Sequence, residues 1–249
     1  MSFTERFADR AGDYVAGRPS YPAAALDALF DGLGEARDVL AADLGAGTGI
    51  SSRLLAERCA RVLAIEPNQA MREAAQAHPR VEWIAGTAES TGLDEASIDL
   101  VTAFQAFHWF DHEKALREMV RILRPAGRAA VISYERDESD PFTAGYGDLV
   151  RAYMLDDTER RRADGPEVFA AFEGWHMRRR VEVRNEQLQD VEGVLARTRS
   201  SSYLPKTGPK ADELHAAVRA LFAQHAHDGR VVMAMRTIVA IGDVGADGG

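Results

Sequence analysis

A glycine-rich segment near the start of the chain constrains the fold more than any other feature. Asp43–Gly49 reads Asp-Leu-Gly-Ala-Gly-Thr-Gly and lies between an apolar run, Val39–Leu44, and a segment with helical spacing, Ser51–Arg58. Glycine permits a sharp turn and lets a ligand approach the backbone without a Cβ atom in the way. The segment therefore predicts a strand, a ligand-binding turn and a helix in succession; a tight turn without a ligand is the alternative.

Short apolar runs alternate with helical patterns from Val39 onward, which is typical of βα units in a parallel sheet. We predict an α/β fold with a doubly wound, mostly parallel, seven-stranded sheet of Rossmann-like architecture and one antiparallel strand at its edge. The predicted strands are Val39–Leu44, Val62–Glu66, Val81–Ile84, Ile98–Phe104, Ala129–Tyr134, Val181–Val183 and Val231–Ile241. The predicted helices are Ser51–Arg58, Asn68–Ala77, Lys114–Leu123 and Asp212–Gln224.

The regular alternation stops after Tyr134, where a polar stretch leads into a helical pattern interrupted by glycines and a proline. We interpret residues 137–177 and 198–210 as a substrate cap inserted after the fifth strand. Residues 1–34 are predicted to form an N-terminal helical lid, and the whole chain, 1–249, a single domain.

The acidic residue Glu66 indicates the kind of ligand that the glycine turn binds. It ends the second predicted strand 19 residues after Gly47, where an open α/β sheet places the carboxylate that accepts hydrogen bonds from ribose hydroxyls. Nicotinamide cofactors normally require the spacing Gly-x-Gly-x-x-Gly, but here the third glycine comes one position early. Asp43 beside the turn would also repel a pyrophosphate and attract an ammonium group, directly or through water. These two features favour S-adenosylmethionine over a dinucleotide.

Five segments together resemble the ordered motifs of class I S-adenosylmethionine-dependent methyltransferases of the type 11 family, which includes ubiquinone/menaquinone-biosynthesis-like and trans-aconitate-methyltransferase-like proteins. The resemblance extends over about residues 3–134. The segments are Asp43–Gly49, Glu66-Pro67 with Met71, Gly86–Glu89, Asp99–Gln105 and Leu123–Gly127.

The resemblance implies a role for each matching residue toward S-adenosylmethionine and its product, S-adenosylhomocysteine. The glycine turn would lie under the methionine moiety, Glu66 would hold the ribose, and Gln105 would face the methionine end. Thr87 stands where many relatives have an aspartate, so its hydroxyl or Glu89 would contact the adenine amino group. The full set implied to bind the cofactor is Tyr14, Arg18, Asp43, Gly45, Ala46, Gly47, Thr48, Glu66, Pro67, Met71, Gly86, Thr87, Ala88, Glu89 and Gln105.

The aromatic and basic segment Tyr14–Pro22 resembles the part of the family that closes over the cofactor. Arg18 would pair with the methionine carboxylate, and Tyr14 would cover it. The alternative is that the tyrosines of this segment pack a docked N-terminal helix.

Methyl transfer from a sulfonium needs alignment of the reacting atoms and exclusion of water, and a base only when the acceptor must lose a proton. His108 lies in an aromatic stretch after the fourth predicted strand and is the candidate catalytic residue. A structural role, with the imidazole bonded to backbone beneath the cofactor, is the alternative. His108 and His112 have the spacing of two metal ligands on a helix, but no third ligand is near in sequence, so we predict no metal.

Charge and cysteine content narrow the possible partners. The net charge of −9 disfavours a nucleic-acid-binding protein, and a single cysteine excludes an intramolecular disulfide. No segment is apolar for the length of a membrane helix, so we expect a cytoplasmic monomer or homodimer that acts on a small-molecule substrate without nucleic acid or membrane partners. Three alternatives stay open: cofactor binding without methyl transfer, a nicotinamide-dependent reductase, and a non-enzymatic interaction module.

Overall fold

The computed structural model describes residues 21–246, which divide into two compact units. The first, here called the glycine-loop unit, consists of Ala23–Ser133, Arg161–Glu182 and the chain from Ile238 onward. The second unit consists of Tyr134–Arg160, Val183–Thr237 and residues 21–22. All predicted site residues that the structure describes lie in the glycine-loop unit.

Eight helices and seven strands follow one another along residues 21–246. The helices are α1 (Ala23–Phe30), α2 (Ile50–Ala56), α3 (Gln69–Glu73), α4 (His112–Ile122), α5 (Pro141–Tyr153), α6 (Thr158–Ala171), α7 (Val191–Ser200) and α8 (Pro209–His225). The strands are β1 (Leu40–Leu44), β2 (Arg61–Ile65), β3 (Val81–Ile84), β4 (Ile98–Phe104), β5 (Leu123–Arg136), β6 (Met177–Gln189) and β7 (Val231–Asp243). Short 3₁₀ turns lie at Ala36–Asp38 and Phe107–Trp109.

The strands form one seven-stranded sheet in the order β3-β2-β1-β4-β5-β7-β6. Strands β1 to β5 pair in parallel, and Asp43 of β1 lies opposite Ala64 of β2 and Thr102 of β4. The strand order reverses direction at β1: β2 and β3 lie on one side of it, and β4 and the later strands lie on the other. In open α/β sheets, ligands bind at the carboxyl ends of the strands at such a reversal. The predicted doubly wound, mostly parallel architecture is confirmed.

The antiparallel strand is β7, and its position differs from the prediction. Val244 N donates to Gly127 O, and Asp137 N donates to Ala234 O, so β7 runs opposite to β5. It lies between β5 and β6 rather than at the edge. The burial of the two strands agrees with this strand order. Strand β7 is mostly buried, whereas β6 alternates exposed and half-buried residues and is rich in arginine, as suits an edge strand.

Apolar side chains of the central strands form the core of the glycine-loop unit. Strands β1, β4 and β5 are buried along most of their lengths, which explains their nearly continuous apolar sequences. Phe107, Met119 and Phe169 are fully or almost fully buried and pack in the same core cluster as the strand residues. The core therefore fixes the segments that flank the carboxyl ends of β1 and β4.

A buried arginine connects three segments of the glycine-loop unit. Arg128 of β5 makes a bidentate ion pair with Asp243 at the end of β7, with N–O distances of 2.6 and 2.9 Å. Its Nη1 atom also donates to the backbone carbonyls of Leu29 and Asp31, at the end of α1. Arg128 is 5% exposed, so all these polar groups depend on one another for hydrogen bonds.

Helix α5, which follows β5, is not broken by the glycines in its sequence. It continues through Gly145 and Gly147 from Pro141 to Tyr153. A Cβ atom on Gly145 would lie 2.8 Å from a methyl carbon of Leu221, in α8 of the second unit. Gly145 therefore permits close packing of two helices, which local sequence preference alone does not indicate.

Helix bounds depart from the prediction mainly at α3, which spans Gln69–Glu73 rather than Asn68–Ala77. Asn68 is the N-cap, and its side chain accepts hydrogen bonds from the amides of Ala70 and Met71. Within the part of the chain that the structure describes, no helix is both long enough and apolar enough to span a membrane.

Candidate cofactor site

The glycine turn joins β1 to α2, as predicted, and its three glycines have left-handed backbone. Gly45, Gly47 and Gly49 have φ angles of 67°, 57° and 76°. A Cβ atom on Gly45 would lie 2.7 Å from Ala106 Cβ, which is closer than side chains normally approach. The amides of Gly45 and Ala46 donate to Ile65 O at the end of β2. The turn is thus held to β2 and has no room for a side chain at its first glycine.

Glu66 connects the end of β2 to this turn. The residue is 5% exposed. One carboxylate oxygen accepts from Gly47 N and the other from Asn68 N, both at 2.9 Å. A carboxylate can accept about four hydrogen bonds, so two acceptor positions are left for ligand hydroxyls. The arrangement fixes the carboxylate beside the glycine turn at the strand reversal.

Asp43 is enclosed by hydroxyl groups. Its Oδ2 atom accepts from Ser51 Oγ and Ser52 Oγ, both at 2.7 Å, and Oδ1 accepts from Thr102 Oγ1 at 3.1 Å. Burial raises the pKa of the Asp43 carboxyl to about 6, against the opposing effect of the three hydroxyls. In this structure Asp43 connects β1 to α2 and β4, which sequence analysis did not anticipate; its predicted contact with a cofactor ammonium group stays a prediction.

The raised pKa of Asp43 predicts a specific pH dependence of stability. The protonated acid is favoured in the folded chain, so its stabilising contribution is complete below about pH 4 and is lost as the pH rises through 6. Since the pKa is about two units above its ordinary value, we expect this contribution to be at most about 3 kcal/mol. Urea unfolding of the wild type and Asp43→Asn at pH 4.5 and 7.5 measures it. The variant should lose less stability over this interval; equal losses would contradict the prediction.

The adenine side of the predicted site begins after β2. Met71 in α3 is 6% exposed, whereas Pro67 is exposed. A Cβ atom on Gly86 would lie 2.9 Å from Thr91 O, so the chain after β3 can turn here only with glycine. Pro67 and Gly86 follow the ends of β2 and β3, Met71 lies in α3, and the roles of these residues toward adenine stay predictions.

The segment after β3 is held by its own backbone and by Glu89. Thr87 and Ser90 exchange two backbone hydrogen bonds, and Ala88 packs into the core. A carboxylate oxygen of Glu89 accepts from Asp111 N at 2.8 Å, just before α4. Glu89 therefore also has a structural contact, and adenine recognition by Thr87 or Glu89 stays a prediction.

Gln105 and His108 follow the end of β4. Gln105 has a φ angle of 54°, which is unusual for a residue other than glycine, and its backbone N donates to Ile132 O. Its Nε2 atom is buried and has no hydrogen-bond partner among the described residues. His108 is 7% exposed, and its ring centroid is 4.8 Å from that of Trp109. Both residues thus lie at the carboxyl end of β4, beside the glycine turn.

Comparison with known proteins agrees with this geometry. Residues 42–131 match the family model of a methyltransferase domain. An uncharacterized methyltransferase of Mycobacterium tuberculosis is 39% identical over 164 residues, which cover 66% of this chain and 65% of that protein. The ubiquinone/menaquinone biosynthesis C-methyltransferase UbiE of Rubrivivax gelatinosus is 36% identical over 95 residues, 37% of this chain and 38% of that protein.

A solved structure, described as that of a putative type II methyltransferase from Anaeromyxobacter dehalogenans, has a TM-score of 0.65 and 26% identity and covers 92% of this chain and 97% of its own. This chain has the fold of the class I S-adenosylmethionine-dependent methyltransferases, and residues 42–131 match a methyltransferase domain. Its sequence match spans about two thirds of the length of the M. tuberculosis relative.

The residues of this site fit S-adenosylmethionine. Thr48 Oγ1, like Gln105 Nε2, is buried without a hydrogen-bond partner among the described residues. Thr48 lies in the turn after β1, and Gln105 directly follows β4, the neighbouring strand. Glycine at position 45 keeps the backbone there free of a Cβ atom, and Glu66 has acceptor positions left for a ribose. S-adenosylmethionine would supply the sulfonium and methyl group, and Thr48 and Glu66 are suited to hold its polar ends.

Two further predictions concern the N-terminal segment and metal binding. Tyr14 and Arg18 lie outside the described residues, as does most of the predicted lid. Within residues 21–246, no three His, Cys, Asp or Glu side chains form a group that could hold a metal ion. His112 stacks on Phe107, with ring centroids 4.5 Å apart and planes at 8°, and burial lowers its pKa.

Sequence reasoning missed the residues that support this candidate site. Ser51 and Ser52, in the first turn of α2, hold the Asp43 carboxylate. Their position directly after the glycine turn was a usable signal, because hydroxyl side chains in the first turn of a helix face back toward the preceding strand end. Thr102 gave no such signal, because its contact depends on the pairing of β4 with β1.

Proposed function

We propose that this chain transfers a methyl group from S-adenosylmethionine to an O, N or C atom of a small-molecule acceptor by direct displacement. The observation that carries the proposal is the hydrogen bond from Gly47 N to the Glu66 carboxylate at 2.9 Å, which joins the glycine turn to an acidic strand end at the reversal of the sheet. This geometry suits an adenosyl ligand with its ribose on Glu66 and its methionine end over Gly45.

The chain's own residues would align the reactants and exclude water. Asp43, held by three hydroxyls, stiffens the segment from which the glycine turn starts. Phe110, whose ring lies 3.2 Å from the position of a Cβ on Gly45, adds an apolar wall beside the turn. A rigid and partly dry pocket favours displacement because it restricts the reacting atoms and keeps water from the sulfonium.

The regions outside this pocket are proposed to choose the acceptor. Residues 137–177 and 198–210 are proposed as the substrate cap and 1–34 as a lid, because chemistry shared by a fold is usually varied by the segments attached to it. The sequence supports a small-molecule acceptor through its acidic net charge of −9, which is unfavourable for binding a phosphate backbone.

A direct test combines calorimetric titration of the cofactor product with transfer of a labelled methyl group. Titration with S-adenosylhomocysteine should release heat and raise the melting temperature. Incubation with S-adenosylmethionine labelled on its methyl group and a library of small metabolites should move label into one acceptor class. Label that never leaves the cofactor, with binding intact, would favour a cofactor-binding protein without transfer; no binding at millimolar concentration would overturn the proposal.

His108 is the proposed proton acceptor in this reaction. For an acceptor that must lose a proton, we expect His108→Ala to lower kcat by about a hundredfold while the affinity for S-adenosylhomocysteine is unchanged. His108→Gln, which retains hydrogen bonding but not proton transfer at neutral pH, should be equally slow. Steady-state kinetics across pH with the acceptor from the label screen measures this. A normal kcat in both variants would assign His108 a structural role.

A further inference from the structure

Ser133, which no motif singled out, is placed by the sheet register beside Gln105. Ile132 lies opposite Phe104 in the pairing of β5 with β4, and the next residue of β4's chain, Gln105, donates its backbone N to Ile132 O at 2.8 Å. Ser133 is therefore next to the end of β4 at the carboxyl edge of the sheet. Both residues belong to the glycine-loop unit.

The side chain of Ser133 is buried, but its hydroxyl makes no hydrogen bond to the described residues. Ser133 is 5% exposed, and its Oγ atom has no hydrogen-bond partner among the described residues. It continues the strand face of Ala129 and Val131, which pack in the apolar core. A hydroxyl buried without a partner destabilises a protein relative to a methyl group at the same place. Stability alone would favour alanine here, so the serine points to another requirement.

The side-chain amide of the neighbouring Gln105 resembles the Ser133 hydroxyl in this respect. Gln105 Nε2 is also buried and unpartnered among the described residues, and the backbone at Gln105 adopts a left-handed φ of 54°. Residues held in sparsely populated backbone conformations concentrate at ligand sites. Gln105, directly after β4, and Ser133, within β5, thus carry an N–H donor and an O–H donor that no group among the described residues accepts.

Resting on the proposed function, we propose that Gln105 and Ser133 form the acceptor subsite and bind an anionic oxygen of the methyl acceptor. An oxyanion matches two unmet donors better than a neutral group because hydrogen bonds to charged oxygen are stronger. Its negative charge would also be attracted by the sulfonium of the cofactor in a buried place. The acceptor class is a carboxylate or a phenolate, which share this chemistry.

The test uses the full chain saturated with S-adenosylhomocysteine and defined probes. Benzoate and cinnamate supply carboxylates, 4-nitrophenol supplies a phenolate at pH 8, and benzamide and cinnamamide are neutral controls. Binding is measured by ligand-detected NMR with competition. We expect one anionic class to bind and the amides not to bind. Ser133→Ala should weaken that binding by about tenfold or more, whereas Ser133→Thr, which keeps the hydroxyl, should largely retain it.

Two further readouts separate this subsite from a structural role and from the proposed function. Ser133→Ala should keep its affinity for S-adenosylhomocysteine and melt at the same or a higher temperature, because it removes an unpaired buried hydroxyl. Ser97→Ala, at a half-buried serine outside the subsite whose hydroxyl donates to Asp94 O, is the control. Equal probe affinity in Ser133→Ala and wild type, or no binding of any anionic probe, would overturn the subsite.

The same probes are titrated without S-adenosylhomocysteine. Failure of S-adenosylhomocysteine to bind the wild type would count against the proposed function by itself. Probe binding that depends on Ser133 in that experiment would still support the subsite.

Discussion

Glu66→Ala is expected to lower the affinity for S-adenosylhomocysteine by at least about a hundredfold. The substitution removes the acceptors for the ribose hydroxyls, and hydrogen bonds to a charged group contribute about 1.5–3 kcal/mol each. It also leaves Gly47 N and Asn68 N without the carboxylate that holds them at 2.9 Å, so the glycine turn loses part of its support. Isothermal titration calorimetry with S-adenosylhomocysteine measures the change.

Two variants separate the ribose contact from a general effect of charge. Glu66→Gln retains the shape but has one carbonyl oxygen and an amide donor facing the two backbone N–H groups, so its affinity should be intermediate. Glu82→Ala removes an exposed glutamate of β3 that pairs with Arg61, and its affinity should equal that of the wild type. Wild-type affinity in Glu66→Ala would exclude this residue as the ribose ligand.

Arg128→Met is expected to reduce the free energy of unfolding by about 3–5 kcal/mol, because removal of one partner leaves a charge in the protein without compensation. Asp243 would lose both of its contacts at 2.6 and 2.9 Å. The carbonyls of Leu29 and Asp31 would lose their donor as well. Urea unfolding followed by circular dichroism measures the loss, and a chain that fails to fold at 37 °C but folds at 15 °C would agree with it.

The double variant Arg128→Met/Asp243→Asn tests whether the unpaired Asp243 carboxylate causes the loss of stability. It removes the uncompensated carboxylate, so it should recover part of the lost stability. Arg124→Met is the matched control on the same strand: Arg124 is half-exposed and pairs with Asp99 at 2.7 Å, and an exposed pair contributes about 0–1 kcal/mol. Similar losses in Arg124→Met and Arg128→Met would show that burial of the ion pair is not the source of the effect.

Local sequence was sufficient for the elements that carry the cofactor site. The glycines of Asp43–Gly49 predicted a sharp turn between a strand and a helix, and the structure has that turn, with left-handed backbone at all three glycines. Strands β3 and β4 have the predicted bounds. Strand β4 is buried and largely apolar, as is typical of an interior parallel strand, whereas β3 is a half-buried edge strand. The position of Glu66 followed from the length of one βα unit, which is set by local geometry.

Contacts between distant segments were not predictable in the same way. The three hydroxyls around Asp43 come from two elements, and the carboxylate of Glu89 reaches Asp111 N across 22 residues of chain. The order of β7 and β6 depends on which strand is better buried, and both have strand-like sequences. The unpaired hydroxyl of Ser133 has no sequence signature, because a single serine in an apolar run is also compatible with a satisfied side chain.

The interior position of β7 has a consequence for synthesis of the chain on the ribosome. Among the described residues, β6 pairs in the sheet with β7 alone, and Arg128 pairs with Asp243 at the end of β7. Strand β7 follows β6 along the chain but lies between β5 and β6. Until β7 is made, β1 to β5 can pair in parallel, but β6 lacks the neighbour that joins it to the sheet.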